Sequence, residues 1–391
     1  RSCIDSIFVL SSCIGERLRN KHGTLMAFFV DFKQAFDRIN HDRLWIKLSD
    51  MGLSLKIISV LRSFYGDAEV EILINHSAST VVPIKNGLLQ GDCLSPLLFS
   101  LYLSDFDAFF RMYECPCIDV DSLHSINSIF FADDLVLMSS SPIRMKKLIS
   151  TLAIYCKENL LEVNLSKSKM IVFRRGGKLA QAFNFSYNGS PVEIVSTFTY
   201  LGVEFCCSGL FARAANSALT KANFASAQIR TLLNRLSIDS PPIRMALYRS
   251  MVQSTLLYAA EIWGLLQGDI VEKNLVQFHK NLYFLPRSTP GYVIRGAFNL
   301  VNLITIVFRR ALRWCSKITL MEDSRLPKIC WLRQLHLIES GSAVFNWALQ
   351  LRTLFHRSSS QLLWTQLLNG SLSRSDINLV VENLTVCLKL E

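Results

Sequence analysis

The chain has 391 residues, 50% of them apolar and 19% charged, which excludes a disordered protein and allows two or three domains around a sizeable core. Lys and Arg outnumber Asp and Glu by 42 to 31, a formal charge of +11 that points to a polyanionic partner, either nucleic acid or an anionic membrane surface. The longest apolar runs, 94–103 and 303–308, are interrupted by polar residues or far too short to span a bilayer, so no membrane partner is expected.

No basic segment followed by an apolar stretch opens the chain, so no secretory leader is expected. Its first residue is Arg1, as in a fragment or a processed product. Of the 11 cysteines, only Cys115-Pro116-Cys117 and Cys206-Cys207 lie close together, and neither pair has zinc-ligand spacing to a second pair or a His. Free thiols in a reducing intracellular compartment, nucleus or cytoplasm, are expected.

Residues 1 to about 205 alternate β-like runs with helical periods, the pattern of an α/β or α+β domain. The first strand covers 26–32. A helix from about 34 to 51 should follow and stop at Gly52. After a strand at 69–74, the loop Gly87-Leu88-Leu89-Gln90-Gly91-Asp92 leads to Ser95-Pro96, a good cap and first helical residue for a helix through Leu103. Strands 126–131 and 135–139 flank Ala132-Asp133-Asp134. A helix at 143–161, a strand at 170–173, a turn at Asn188-Gly189 and a strand at 198–205 complete this half. From Phe211 onward the texture is helical. Ala218, Ala222, Ala225, Ile229, Leu232, Leu233 and Leu236 form one stripe of a helix that ends before Pro241-Pro242, and a further helix is expected at 243–263.

Asp133 and Asp134 fall at a hairpin tip. Neighbouring carboxylates repel, and keeping both ionised calls for a cation; hard oxygen ligands suit Mg²⁺. Aspartate is also common in solvated turns, so the pair alone is ambiguous. A second carboxylate, Asp31, ends the apolar run Phe28-Phe29-Val30 before Phe32-Lys33-Gln34-Ala35-Phe36-Asp37. Brought beside the hairpin it would complete a three-carboxylate cluster able to hold two metal ions, which is what phosphoryl transfer to a 3′-hydroxyl requires. In the third segment Gly91 permits close backbone approach, and the Gln90 amide could bond a sugar or base edge.

In order and spacing these segments resemble the reverse transcriptase family, most closely its non-long-terminal-repeat retrotransposon branch. Asp31 with Ala35-Phe36-Asp37 is similar to the first catalytic motif, and Gln90-Gly91-Asp92 with Leu94 to Phe99 to the template- and nucleotide-contacting motif. Phe131-Ala132-Asp133-Asp134 is similar to the second catalytic motif, Asn164-Leu165-Ser166-Lys167 to the segment after the palm helix, and Tyr200-Leu201-Gly202 to the primer-grip hairpin. The resemblance implies an α+β, ferredoxin-like polymerase palm, then a helical thumb and a helical C-terminal region, divided near residues 205 and 265. It implies RNA-directed DNA polymerisation, with an RNA template, a DNA primer, deoxynucleoside triphosphates and two Mg²⁺ ions, Mn²⁺ being the alternative.

By the same resemblance Asp31, Asp133 and Asp134 would hold the metals, assisted by the Phe32 carbonyl. Phe36 would exclude a ribose 2′-hydroxyl, Gln90 and Gly91 would meet the nucleotide, and Lys167 would act as general acid towards pyrophosphate. Phe36 otherwise reads as a core aromatic and Lys167 as surface charge. Cys93 departs from the pattern, where Pro is usual. Arg1 to Asp5 resembles the end of a fingers motif, so most of the fingers would precede residue 1, and polymerisation by this segment alone stays open. In the second half Arg213, Lys221, Arg230, Arg235, Arg244 and Arg249 stand against one acid, Asp239, between 210 and 260. Arg213, Lys221 and Arg235 lie opposite the apolar stripe, as in a thumb that tracks a duplex by its phosphates or in an ordinary solvated face. A decayed or domesticated copy that binds nucleic acid without polymerising is the rival reading.

Overall fold

Ser2 opens the first helix, α1 (Cys3–Leu18), by a reciprocal cap: its hydroxyl accepts from the Asp5 backbone, and the Asp5 carboxylate accepts from the Ser2 N–H at 3.0 Å. The computed structural model describes residues 2–74, 77–84, 86–89, 91–177, 183–237 and 240–390. After α1 the chain enters β1 (Thr24–Val30), an inner strand of a four-stranded antiparallel sheet. Its companions are β2 (Ser128–Phe131), β3 (Asp134–Ser139) and β4 (Lys169–Arg174), in spatial order β2-β3-β1-β4. Helices lie between β1 and β2, and α2 (Pro142–Glu158) lies between β3 and β4. That succession and strand order are the expected ferredoxin-like arrangement.

β1 reads TLMAFFV, apolar from Leu25 onward, because both of its faces are covered. Leu25, Ala27 and Phe29 enter one core with α1 and the later helices. Met26, Phe28 and Val30 enter a second core with α2 and the helix Ser95–Tyr102. The sheet is therefore a rigid plate between two cores, and its strand ends are fixed points.

Several elements differ from expectation for local reasons. Residues 34–40 are not helical. Gln34 sits at φ 49°, Lys33 N–H donates to the Glu162 carbonyl at 2.8 Å, and the helix begins only at His41, where the Asn40 side chain caps it. Ser95 is the first helical residue rather than the cap, because its hydroxyl is drawn to the Leu89 carbonyl at 2.6 Å. The run at 198–205 is a hairpin, β5 (Thr197–Tyr200) and β6 (Val203–Cys206). Leu201 and Gly202 turn it at φ 46° and 82°, the left-handed pair a two-residue hairpin needs.

The helix after Phe211 is α3 (Ala212–Arg235); its buried row is Ala215, Ala222, Ile229 and Leu233, while Leu232 and Leu236 are exposed. The helix expected at 243–263 is broken into Pro241–Leu247, a π-helical turn Tyr248–Gln253, Ser254–Leu256 and Ala260–Trp263. Side chains take up carbonyls freed by the break: Arg310 donates to Leu257 O at 2.6 Å and the Trp263 indole to Tyr258 O at 2.9 Å.

The C-terminal helices α4 (Leu303–Thr319) and α5 (Leu326–Glu339) return to α1. Phe8 meets Trp314 edge-on at 4.5 Å, Arg333 pairs with Glu16 at 2.8 Å, and Gln334 donates to Ser12 at 2.8 Å. One continuous apolar core thus crosses both divisions, at 205 and at 265.

Candidate active site

The register of the sheet brings the first carboxylate to the second pair. β1 pairs with β3 as far as Val30 opposite Leu135, so Asp31 and Asp134 are the next residues out along both strands. Alternation puts Asp31 on the face of Phe29 and Ala27, and Asp134 on the face of Val136 and Met138; all four of those apolar residues share one core. Asp133 lies in the two-residue turn between Phe131 and Asp134, which are paired. The turn places Ala132 at φ 51°, a left-handed conformation that strains a residue with a Cβ and that rigid flanking strands can hold.

The electrostatics follow from that placement. The Asp134 carboxyl is pushed up to about 6, first by burial, then by the Asp133 charge, then by Asp31. Among the described residues nothing donates a hydrogen bond to it and no cation pairs with it. The three carboxylates fit a divalent cation in donor type and in mutual repulsion. As the side chains stand they do not share one ligating point, since no three acidic, His or Cys side chains among the described residues are grouped closely enough to hold an ion. A bound cation would have to draw them together.

A second layer fixes the end of β1. Asp31 N–H donates to the Ser168 hydroxyl at 3.0 Å, and Asn164 N–H donates to the Asp31 carbonyl at 2.7 Å. Phe32 bridges to Val163, and the Glu162 carboxylate pairs with both Lys33 and Arg38. The turn at 164–168 therefore carries Lys167 to the rim of the cleft that Asp31, Asp133, Phe32 and Phe36 also line. Phe36 lies half-buried, stacked on Phe99 at 4.7 Å, so it belongs to the core and to the cleft wall at once.

The loop after residue 86 docks beneath Phe36: Leu88 N–H donates to the Phe36 carbonyl at 2.8 Å, and Gly87 N–H to Ile39 O at 2.8 Å. A Cβ at Gly87 would lie 2.7 Å from the Asp37 carbonyl oxygen, so Gly87 lets the loop pack closely on the 34–40 segment. Gly91 itself, at φ 91°, has open space beside it. Gln90 lies outside the described residues.

The remaining expected contacts separate. Tyr200 is 2% exposed, and its ring packs 5.5 Å from Phe29, so its side chain faces the core and offers no surface to a duplex. Leu201 and Gly202 form the tip of that hairpin, latched by Tyr258: its hydroxyl donates to Leu201 O at 3.1 Å, and its ring lies 2.9 Å from where a Gly202 Cβ would be. Lys221 is exposed and lines the cleft between this tip and α3, whereas Arg235 is four helical turns further on, about 21 Å along the axis. Sequence reading missed Ser168, Glu162 and Tyr258. A serine, a glutamate and a tyrosine carry no pattern of their own, and only their partners across the fold give them a role.

The chain was compared with known proteins. The family described as "Reverse transcriptase (RNA-dependent DNA polymerase)" matches residues 1–205. The "Probable RNA-directed DNA polymerase from transposon BS" of Drosophila melanogaster is 26% identical over 279 residues, 69% of this chain and 30% of that protein. The "Retrovirus-related Pol polyprotein from type-1 retrotransposable element R2" of Popillia japonica is 27% identical over 201 residues, 50% of this chain and 32% of that protein. The chain thus spans about a third of the length of these curated relatives. Among solved structures, apo telomerase from Candida tropicalis aligns with 97% of this chain and 55% of that one, at 14% identity and a TM-score of 0.42. Ordered motifs, an α+β sheet with carboxylates at its strand ends and a family match over more than half the chain agree: the chain belongs to the reverse transcriptase family, among relatives from non-long-terminal-repeat retrotransposons.

Proposed function

We propose that the protein carrying this chain is an RNA-directed DNA polymerase that extends a DNA primer on an RNA template by two-metal phosphoryl transfer. The observation that carries this reading is the meeting of Asp31 with Asp133 and Asp134 at one end of the sheet, where burial and like charge already press on Asp134. Asp31, Asp133 and Asp134, with the Phe32 carbonyl, are the groups that would hold two Mg²⁺ ions, or Mn²⁺. Such ions supply activation of the 3′-hydroxyl and neutralisation of the triphosphate charge.

The residues of the chain do the rest. The Phe36 ring, braced by Phe99, occupies the wall where a ribose 2′-hydroxyl would have to fit. The loop carrying Gln90 and Gly91, anchored through Gly87 and Leu88, meets the deoxynucleoside triphosphate. Lys167, on the rim, gives a proton to the leaving pyrophosphate. Residues 1–205 act as the end of the fingers plus palm, and 206–265 as a thumb. Leu201 and Gly202 at the hairpin tip and Lys221 and Arg235 on α3 would hold the template–primer by its phosphates.

Primer extension tests this directly. The full-length protein should incorporate deoxynucleotides on an RNA template only with a divalent cation, and Asp133→Asn should lose that activity while still binding template–primer. Binding without extension by the wild type would replace this reading with that of a nucleic-acid binder.

A further inference from the structure

The β5–β6 hairpin holds a tyrosine that packing alone does not explain. Tyr200 is 2% exposed, and its hydroxyl oxygen, sealed from solvent, has no hydrogen-bond partner among the described residues. An unpaired buried hydroxyl is a cost to the fold, so it calls for a reason. Phenylalanine would fill the same volume, as Phe198 does on the same strand, stacked on Phe29 at 4.6 Å.

The sheet geometry supplies the reason. The Tyr200 ring lies 5.5 Å from Phe29, and Phe29 pairs with Val136. Residues two apart on a strand share a face, so the layer above Phe29 and Val136 on that face is Asp31 and Asp134. The charge of Asp134 reaches the phenol, and after burial it is the largest influence raising Tyr200 above its ordinary value. A phenol has one proton to give, and a carboxylate can only accept. Asp134 on this face and the Tyr200 phenol packed against it from the β5–β6 hairpin are thus a half-buried acceptor and a buried donor in neighbouring layers, neither of them hydrogen-bonded among the described residues. Ser6 on α1 is the competing polar partner: its side chain acts on the phenol as a hydrogen-bonding group, although the pair falls outside ordinary hydrogen-bond geometry.

We propose that Tyr200 is a positioning residue for Asp134: when a cation draws the carboxylate inward, the hydroxyl that is unpaired without metal donates to it from the core side and holds the rotamer in which Asp134 faces the metal. The inference rests on the metal-dependent polymerase reading and adds to it a mechanical link, since the strand that carries Tyr200 ends in the tip latched by Tyr258. A displacement of that hairpin moves the donor, and with it the carboxylate.

The test is Mn²⁺ binding, followed by electron paramagnetic resonance of the free ion, on the full-length protein without nucleic acid. Tyr200→Phe removes one oxygen and keeps the ring. It should weaken Mn²⁺ binding about tenfold, the usual effect of losing an outer partner of a ligand. The metal-free unfolding midpoint should stay level or rise, because an unpaired hydroxyl has gone. In primer extension the same variant should lower kcat and raise the Mg²⁺ concentration for half-maximal rate, with the KM for deoxynucleotide unchanged. Ser6→Ala should do none of this. If Asp134→Asn weakens Mn²⁺ binding and Tyr200→Phe does not, the inference falls alone. If Ser6→Ala reproduces the Tyr200→Phe loss, the hydroxyl serves α1 and the inference is overturned. If wild type and Asp134→Asn bind Mn²⁺ alike, the metal reading fails and takes this inference with it.

Discussion

Asp31, Asp133 and Asp134 stand together at one end of the sheet, half out of water, and the charges of Asp133 and Asp31 press on Asp134. Arg213, Lys221 and Arg235 stand on the outer face of α3, in solvent. Under the proposed function both groups would serve a polyanion, yet they are built in opposite ways. Asp134 is held in an unfavourable place by a sheet that is covered on both sides, and under the proposed function a cation would relieve it. The basic side chains cost the fold little, because water solvates them until phosphates displace it. Chemistry needs the rigid, strained region; holding a duplex needs only charge along a face.

The largest effect should separate these two regions outright. Asp133→Asn should lower primer extension by a factor on the order of 10² or more while leaving template–primer affinity unchanged, as single-turnover extension and a filter-binding titration would show. Equal extension by the mutant and the wild type would break the assignment of the hairpin tip. Phe36→Ala should next reduce discrimination against ribonucleotides by about tenfold or more, read from the ratio of kcat/KM values for ribo- and deoxynucleotides. An unchanged ratio would return Phe36 to the core it shares with Phe99.

Replacing Lys221 and Arg235 together with Ala should reverse the first pattern. The slope of log affinity against log salt should become shallower by about 1.8, while the rate of extension from the bound state holds. A fall in that rate would mean that α3 also shapes the active site.

Two smaller effects probe the strain. Asp134 is held at about 6 against an ordinary carboxylate value near 3.8, so the metal-free fold binds this proton more tightly than the unfolded chain does. Its contribution to stability is complete below pH 3.8 and is lost as pH rises through 6. Asp134→Asn should remove that loss and stabilise the metal-free protein at pH 7 by on the order of 1 kcal/mol, less than the full shift because the group is only half-buried. Denaturant midpoints of the wild type and Asp134→Asn at pH 4 and pH 7 measure it, and a difference between the two proteins that is the same at both pH values would deny the raised Asp134 value. Ala132→Gly, at φ 51°, should raise stability by about 1 kcal/mol in the same assay. No gain would show that the turn carries no strain.

The amino-acid sequence by itself determined which residues could do chemistry and roughly where the strands run. An unbroken apolar stretch such as LMAFFV has to be buried on both faces, and a carboxylate at its end has to emerge at an edge. Asn188-Gly189 could hardly avoid a tight turn, and the structure has it between Ser186–Tyr187 and Ser190–Pro191. Only the tertiary structure decided what lies across space. That Gln34 leaves the helix depends on Lys33 finding the Glu162 carbonyl; that 243–263 breaks depends on Arg310 reaching Leu257. Tyr200 belongs to the segment that resembles a primer grip, yet the pleat turns its ring inward to Phe29. Local pattern records the period of a strand or helix. Which face a residue lands on, and which partner 130 residues away completes its hydrogen bond, as Ser168 does for Asp31 at |i−j| = 137, follows from packing that no short stretch contains.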